Sequence, residues 1–144
     1  MHTTRDDSHA PARILIAAHH KRVRQLLRQI LESAGYRVTE APTAWDALWS
    51  VEMGATSVAF CDMDVPNTKG LWLADQITAS SPATAIVLAT SNSEIATVES
   101  MRTGIVAYLV KPLSERLVRA AATDGVRWSA DARTGGALGR RRGP

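Results

Sequence analysis

VAFCDMDVPNTKG, residues 58–70, is the stretch from which the rest of the chain is read. Its first four residues, Val58-Ala59-Phe60-Cys61, form a short apolar run with a β-branched and an aromatic member, and this predicts a buried strand. The run ends on a carboxylate, Asp62. Asp64, Pro66, Asn67 and Gly70 then supply turn chemistry before a helical period opens at Leu71. Open α/β sheets build their sites by leaving ionisable side chains at the carboxyl ends of strands. An aspartate that merely caps a loop is the plainer alternative, and the flanking sequence decides between the two.

Working outward, the same alternation recurs on both sides. Upstream, Arg13 to Ala17 (RILIA) predicts a first buried strand that ends at Ala18-His19-His20. Val23, Leu26, Leu27, Ile30 and Leu31 then mark one face of a helix closed by Gly35, with Lys21, Arg22, Arg24 and Arg28 on a solvated basic face. Tyr36 to Ala41 predicts a second strand. Thr43 and Asp46 resemble a capping box on a second helix to Met53, buried through Ala44, Ala47, Leu48 and Val51. Downstream, a third helix from about Gly70 buries Leu71, Ala74 and Ile77 and stops before Ser80-Ser81-Pro82. Ala85 to Ala89 is a fourth strand ending at Thr90-Ser91. A helix from about Ser93 to Gly104 turns Ile95, Val98 and Met101 inward. Val106 to Val110 is a fifth strand ending at Lys111-Pro112, and Ser114 caps a last helix carrying Leu117, Val118 and Ala121 inward.

Five alternations with short connections predict a doubly wound parallel sheet covered on both faces. Two strand orders are common for such sheets, and in either the carboxyl ends share one edge. That edge gathers His19, Asp62, Thr90 and Lys111. A carboxylate, a hydroxyl and an ammonium in one place suit phosphoryl handling: an acceptor, a donor to a phosphoryl oxygen, and a charge to neutralise the transition state.

These residues together resemble the receiver domain of response regulators, of the chemotaxis-regulator type, over about residues 12–128. Asp62 with Pro66 and Gly70 is similar to that family's phosphoacceptor strand and loop, Thr90 to its switch hydroxyl, and Tyr108 to its switch aromatic. Lys111-Pro112 is similar to its Lys–Pro pair, whose peptide bond is usually cis. The resemblance implies a flavodoxin-like five-stranded sheet in order 2-1-3-4-5, and a role in two-component signal transduction instead of catalysis. It implies a histidine kinase or phosphotransfer protein as the phosphodonor.

The departure is at the end of the first strand. The family carries two adjacent acids there to hold Mg²⁺, where this chain has Ala18 and His19. Mg²⁺ wants oxygen ligands, and imidazole suits Zn, Cu or Ni better. Asp62, Asp64 and His19 are what remains for a metal, so Mg²⁺ binding is expected to be weak or absent. Three readings follow: a working receiver with an altered ion or none, a pseudo-receiver that signals by contacts alone, and a transition-metal site of His19, His20, Asp62 and Asp64.

Composition bounds the rest. Of 144 residues, 45% are hydrophobic and 22% charged, as in a globular domain with a full core. One cysteine, Cys61, excludes an internal disulfide and fits a reducing cytoplasm. No apolar run reaches the roughly 20 residues of a membrane span. The reading divides the chain into a disordered leader (1–12), a receiver domain (13–128) and a disordered basic tail (129–144), hence a stand-alone module. The net charge of +3 resides largely in Arg140, Arg141 and Arg142. An arginine tail also admits a nucleic-acid accessory role, but a solubilising end explains it as well. Trp45 and Trp49, spaced i, i+4 off the buried stripe of the second helix, are expected to stack together facing outward. With Trp72 they would form a patch for a protein partner.

Overall fold

Five strands, β1 (Arg13–Ala17), β2 (Arg37–Ala41), β3 (Val58–Asp62), β4 (Ala85–Thr90) and β5 (Ile105–Val110), pair in parallel as a single sheet. The order is β2-β1-β3-β4-β5, as the resemblance implies. The computed structural model describes residues 11–64, 70–91 and 104–142, with side chains as far as Gly135. The expected helix from Ser93, together with Pro66 and Asn67, lies outside the described residues. The described helices are α1 (Lys21–Ser33), α2 (Ala44–Met53), α3 (Gly70–Ser80) and α4 (Glu115–Arg142).

The central strands are apolar on both sides because both faces are covered. Ile14, Ile16, Val58, Phe60 and Val87 point to a layer closed by Leu27 and Leu31 of α1 and by Val118 and Ala122 of α4. Their neighbours Leu15, Ala59, Cys61, Ile86 and Leu88 point to the opposite layer, closed by Ala47 and Val51 of α2 and by Leu73 and Ile77 of α3. Thr43 accepts from the Asp46 amide at 3.1 Å, so the expected cap on α2 is formed. Gly35, at φ +96°, takes the left-handed turn that ends α1. Two assignments made from periodicity differ: Leu26 and Leu117 are exposed. Each sits at the rim of its helix's apolar face, where the 100° step carries a side chain past the sheet.

The last helix is the larger difference. Periodicity ends at Trp128 and predicts an irregular tail, yet α4 continues to Arg142. No proline interrupts residues 113–143, and the helix does not stop where its sheet-facing stripe stops. Ser129 is buried, and Arg133 Nη2 donates to the Thr56 carbonyl at 3.2 Å, tying this part of α4 to the sheet's amino edge.

Gly125 explains how α4 sits so near β3. A Cβ placed there would lie 2.8 Å from Val58 Cγ2 and 3.1 Å from Cγ1, and both methyls belong to a stiff, fully buried side chain. Gly125→Ala gains about 1 kcal/mol of helix propensity but overpacks the layer at about 1–3 kcal/mol. We expect a net loss of about 1 kcal/mol by urea denaturation, partly relieved by Val58→Ala in the same chain. A gain in stability on Gly125→Ala alone would mean the close approach is not limiting.

Candidate functional site

Each site residue is delivered by the end of a strand. β3 stops at Asp62, whose Cα pairs with Ala89, and the chain leaves the sheet through the Met63 amide on the Ala89 carbonyl at 2.8 Å. β4 stops at Thr90, and Lys111 follows β5, its amide on the Thr90 carbonyl at 2.8 Å. Because β1, β3, β4 and β5 are neighbours in that order, Asp62, Thr90 and Lys111 meet on one edge. The Lys111–Pro112 bond is cis.

At that edge Lys111 Nζ bridges two carboxylates, 2.9 Å from Asp62 Oδ1 and 3.1 Å from Asp64 Oδ2. Asp62 Oδ1 also accepts from the Asp64 amide, and Asp64 Oδ2 from the Ser91 amide, each at 2.9 Å. The Asp62 side chain is wholly buried, and its Oδ2 has no hydrogen-bond partner among the described residues. One oxygen of the Asp62 carboxylate is therefore engaged by the ammonium and the loop, and the other is buried without a partner among the described residues. Thr90 is buried beside it on β4, and Tyr108, on β5, packs partly buried against the α2/α3 layer.

Burial alone would raise the Asp64 carboxyl, but Lys111, assisted by the side chain and amide of Ser91, outweighs it and holds it below the ordinary carboxylate range. Burial likewise opposes the charge on Lys111, and the two carboxylates more than restore it, so its ammonium is held above the usual value. Glu40, at the end of β2, is lowered chiefly by its hydrogen bond to Arg28, with burial opposing and Arg24 assisting. A carboxylate lowered on folding contributes stability that is present above its unfolded pKa, about 4, and lost as pH falls through the folded value. The melting temperature should therefore hold from pH 7 to about 5 and fall below about pH 4. Asp64→Asn should flatten that fall; an unchanged acid limb would show that the Lys111 bridge is not coupled to folding.

The β1 end differs from the other three. His19 is exposed and meets the His20 ring edge-on, centroids 5.5 Å apart, with no hydrogen bond to Asp62 or Asp64 among the described residues. Ala18 is buried in the α1/α4 layer. Arg24 Nη1 donates to the carbonyls of Ala18 at 3.0 Å and His19 at 2.8 Å, while its Nε reaches Glu40 at 3.1 Å. The basic face of α1, read from sequence as solvated, thus supplies a cation that pins this loop. Opposite charges 16 residues apart in the chain give no sign of pairing until the sheet order is known. Of the oxygens a hard dication would take, Asp62 Oδ1 and Asp64 Oδ2 face an ammonium, and β1 offers a methyl group and an imidazole. Among the described residues, no three His, Cys, Asp or Glu side chains converge as a metal site requires.

The sequence model of the response regulator receiver domain matches residues 14–123. The chain belongs to this receiver family. It is 34% identical over 114 residues to the transcriptional regulatory protein PdtaR of Mycobacterium tuberculosis, covering 78% of this chain and 55% of PdtaR. It is 32% identical over 116 residues to the alginate biosynthesis transcriptional regulatory protein AlgB of Pseudomonas aeruginosa, covering 80% of this chain and 26% of AlgB. The receiver thus spans about half of one relative and about a quarter of the other. A CheY-like receiver domain protein from Methanospirillum hungatei superposes with a TM-score of 0.77 at 26% identity, over 85% of this chain and 98% of that one. No helix among the described residues of the receiver is long and apolar enough to cross a membrane.

The tryptophans are placed on the α2/α3 side of this receiver. Trp45 is 73% and Trp49 64% exposed, with Trp72 less so. The ring pair is Trp45 with Trp72, edge-on at 5.9 Å, and not the expected Trp45 with Trp49. α2 packs beside α3, so the neighbouring helix offers Trp45 a closer ring than the next turn of its own helix does.

Proposed function

We propose that this receiver is a signalling module, not an enzyme, in which Asp62 is the phosphoacceptor and the family's Mg²⁺ site is degraded. The observation that carries this is the Asp62 carboxylate, buried, with Oδ1 on Lys111 and Oδ2 unpartnered among the described residues. In transfer from a histidine kinase or phosphotransfer protein, Oδ2 attacks phosphorus as the donor's P–N bond breaks and its electron pair returns to the donor imidazole. Lys111 neutralises charge on the incoming phosphoryl group, and Thr90 and Tyr108 are the switch residues that respond to it. Output passes through protein contacts, for which Trp45, Trp49 and Trp72 offer an apolar surface.

A second reading, a pseudo-receiver that signals without phosphorylation, is favoured by one specific observation. Arg24 holds the backbone where the family places its acid pair, so a cation sits near the place a dication would need. Labelling by acetyl phosphate, with and without Mg²⁺, separates the two. Slow labelling that Mg²⁺ does not accelerate, abolished by Asp62→Asn, supports phosphoacceptance without the ion. No label from acetyl phosphate or a phosphorylated donor protein selects the pseudo-receiver.

A further inference from the structure

The outward side of α2 is apolar where a solvated helix is normally polar. Trp45, Trp49 and Met53, each four residues after the last, make one stripe along it, and all three are largely exposed. Trp72 of α3 widens the stripe through its edge-on contact with Trp45. Together the four side chains present on the order of 500 Å² of apolar surface, near the upper end of what a monomer carries in one patch.

The charges around the stripe are sorted by position. Leu15 and Ala17 of β1 face the α2/α3 layer, so strand alternation puts Arg13 on that face too. Its Nη1 lies 3.7 Å from where a Cβ on Gly54 would stand, at the carboxyl end of α2. Arg37 is its register partner on β2, and both are exposed, so two like charges stand opposite one another. Asp46 is exposed at the amino end of α2. Asp46 and Ser50 share one flank of that helix, and Ser50 lines a cavity of about 180 Å³ with Met53 and Arg13. Glu52, about 120° round the helix from Asp46, is on the Trp45 flank instead. Among the described residues Arg13, Arg37, Asp46 and Glu52 make no ion pair, unlike Arg24, Arg28 and Arg119.

We propose that this face binds a second copy of the chain across a two-fold axis at Trp49, with the two α2 helices antiparallel. The proposal rests on the reading of the tryptophans as a protein-contact surface and names the protein. An isologous contact needs a surface that complements its own rotated copy. Trp45 to Met53 and Asp46 to Gly54 are each eight residues, about 12 Å, with midpoints at Trp49 and Ser50. Rotation about that point sets Trp49 on its own copy, Trp45 on Met53 of the second copy, and Asp46 beside Arg13 of the second copy. The last two contacts occur twice. Antiparallel helices also set each amino end beside a carboxyl end, which the helix dipoles favour. With its charged flanks the face approaches the roughly 800 Å² per partner of a stable interface, apolar at the centre and polar at the rim.

The test is sedimentation velocity on the full chain over a concentration series. A monomer–dimer equilibrium is expected, with a dissociation constant in the micromolar range. Trp49→Glu meets its own copy on the axis, so one substitution acts twice and should weaken dimerisation at least about 100-fold. Arg13→Glu and Asp46→Lys should each weaken it about tenfold. An equimolar mixture of those two variants should recover the parent's affinity, because both cross-contacts of the heterodimer again join opposite charges. Recovery also shows that both variants are folded. Dimers that survive Trp49→Glu, or a mixture no tighter than its components, would overturn the proposal. Acrylamide quenching of tryptophan fluorescence in the dilute monomer keeps the wider reading distinct. Tryptophans already shielded there would remove the contact surface altogether, whereas open tryptophans in a chain still monomeric at about 1 mM would overturn only the second copy.

Discussion

Replacing Ala18 and His19 together by aspartate is expected to raise Mg²⁺ affinity by about 10- to 100-fold and to make labelling of Asp62 Mg²⁺-dependent. The substitution returns two carboxylates to the β1 end, where this chain has a buried methyl and an exposed imidazole. Ala18 lies in an apolar layer, so a carboxylate there is costly to the apo protein and is offset only when a cation pairs with it. The doubly substituted chain should therefore melt lower than the parent without Mg²⁺ and gain stability as Mg²⁺ rises. That gain is about 2.7 kcal/mol when the ion stands at 100 times its dissociation constant. The parent should show no comparable gain. Calorimetry across a Mg²⁺ series reads both effects. A double variant that melts independently of Mg²⁺ would show that the β1 end does not decide Mg²⁺ binding.

Lys111→Ala is expected to have the largest effect among single substitutions in the site. It strips Asp62, whose side chain is wholly buried, of its counter-charge at 2.9 Å, and it also releases Asp64. Breaking a fully buried pair costs about 3–5 kcal/mol, but the Lys111 side chain is 20% exposed, so about 2–3 kcal/mol is the reasonable expectation. Adding Asp62→Asn should recover much of the loss, because the stranded charge is then gone, and the double-mutant cycle should give a coupling above about 1 kcal/mol. Phosphoryl transfer should suffer more than folding, since among the described residues the ammonium is the one cation on the Asp62 carboxylate. A loss under about 0.5 kcal/mol with no coupling would mean water and loop groups carry the Asp62 charge without help from Lys111.

The sheet was legible because its central strands are short apolar runs ending in residues that cannot continue them. His19, Asp62, Thr90 and Lys111 announce four carboxyl ends, and parallel pairing puts those ends on one edge. What remained hidden depends on geometry that no local pattern records. Ser91 serves Asp64 through its backbone amide, which every residue but proline possesses. Arg24 and Glu40 meet only because β2 lies beside β1. His19 was expected around the pocket, yet its ring meets His20 edge-on and among the described residues no hydrogen bond takes it to the carboxylates, because an exposed residue past the strand end is not constrained by the sheet register. The continuation of α4 was missed for a related reason. Past Trp128 only Ser129 is buried among the residues with described side chains, so the helix loses its apolar stripe while its backbone stays helical. Cys61 was legible as a core residue, and burial, with Asp62 adding to it, pushes its thiol up to about 12. It should resist alkylation in the native receiver and react only on unfolding.

The most direct test of the central claim is a Mg²⁺ titration of the unmodified chain, read at the amides of Asp62, Asp64 and Ser91 and paired with phosphate incorporation from acetyl phosphate. No saturable shift through millimolar Mg²⁺, with slow labelling at a rate Mg²⁺ does not change, is the result expected for a phosphoacceptor held by Lys111 in a degraded metal site. Saturation at submillimolar Mg²⁺ with rapid, Mg²⁺-dependent labelling of Asp62 would contradict it, and would mean that the cleft draws its metal ligands from residues other than Ala18 and His19.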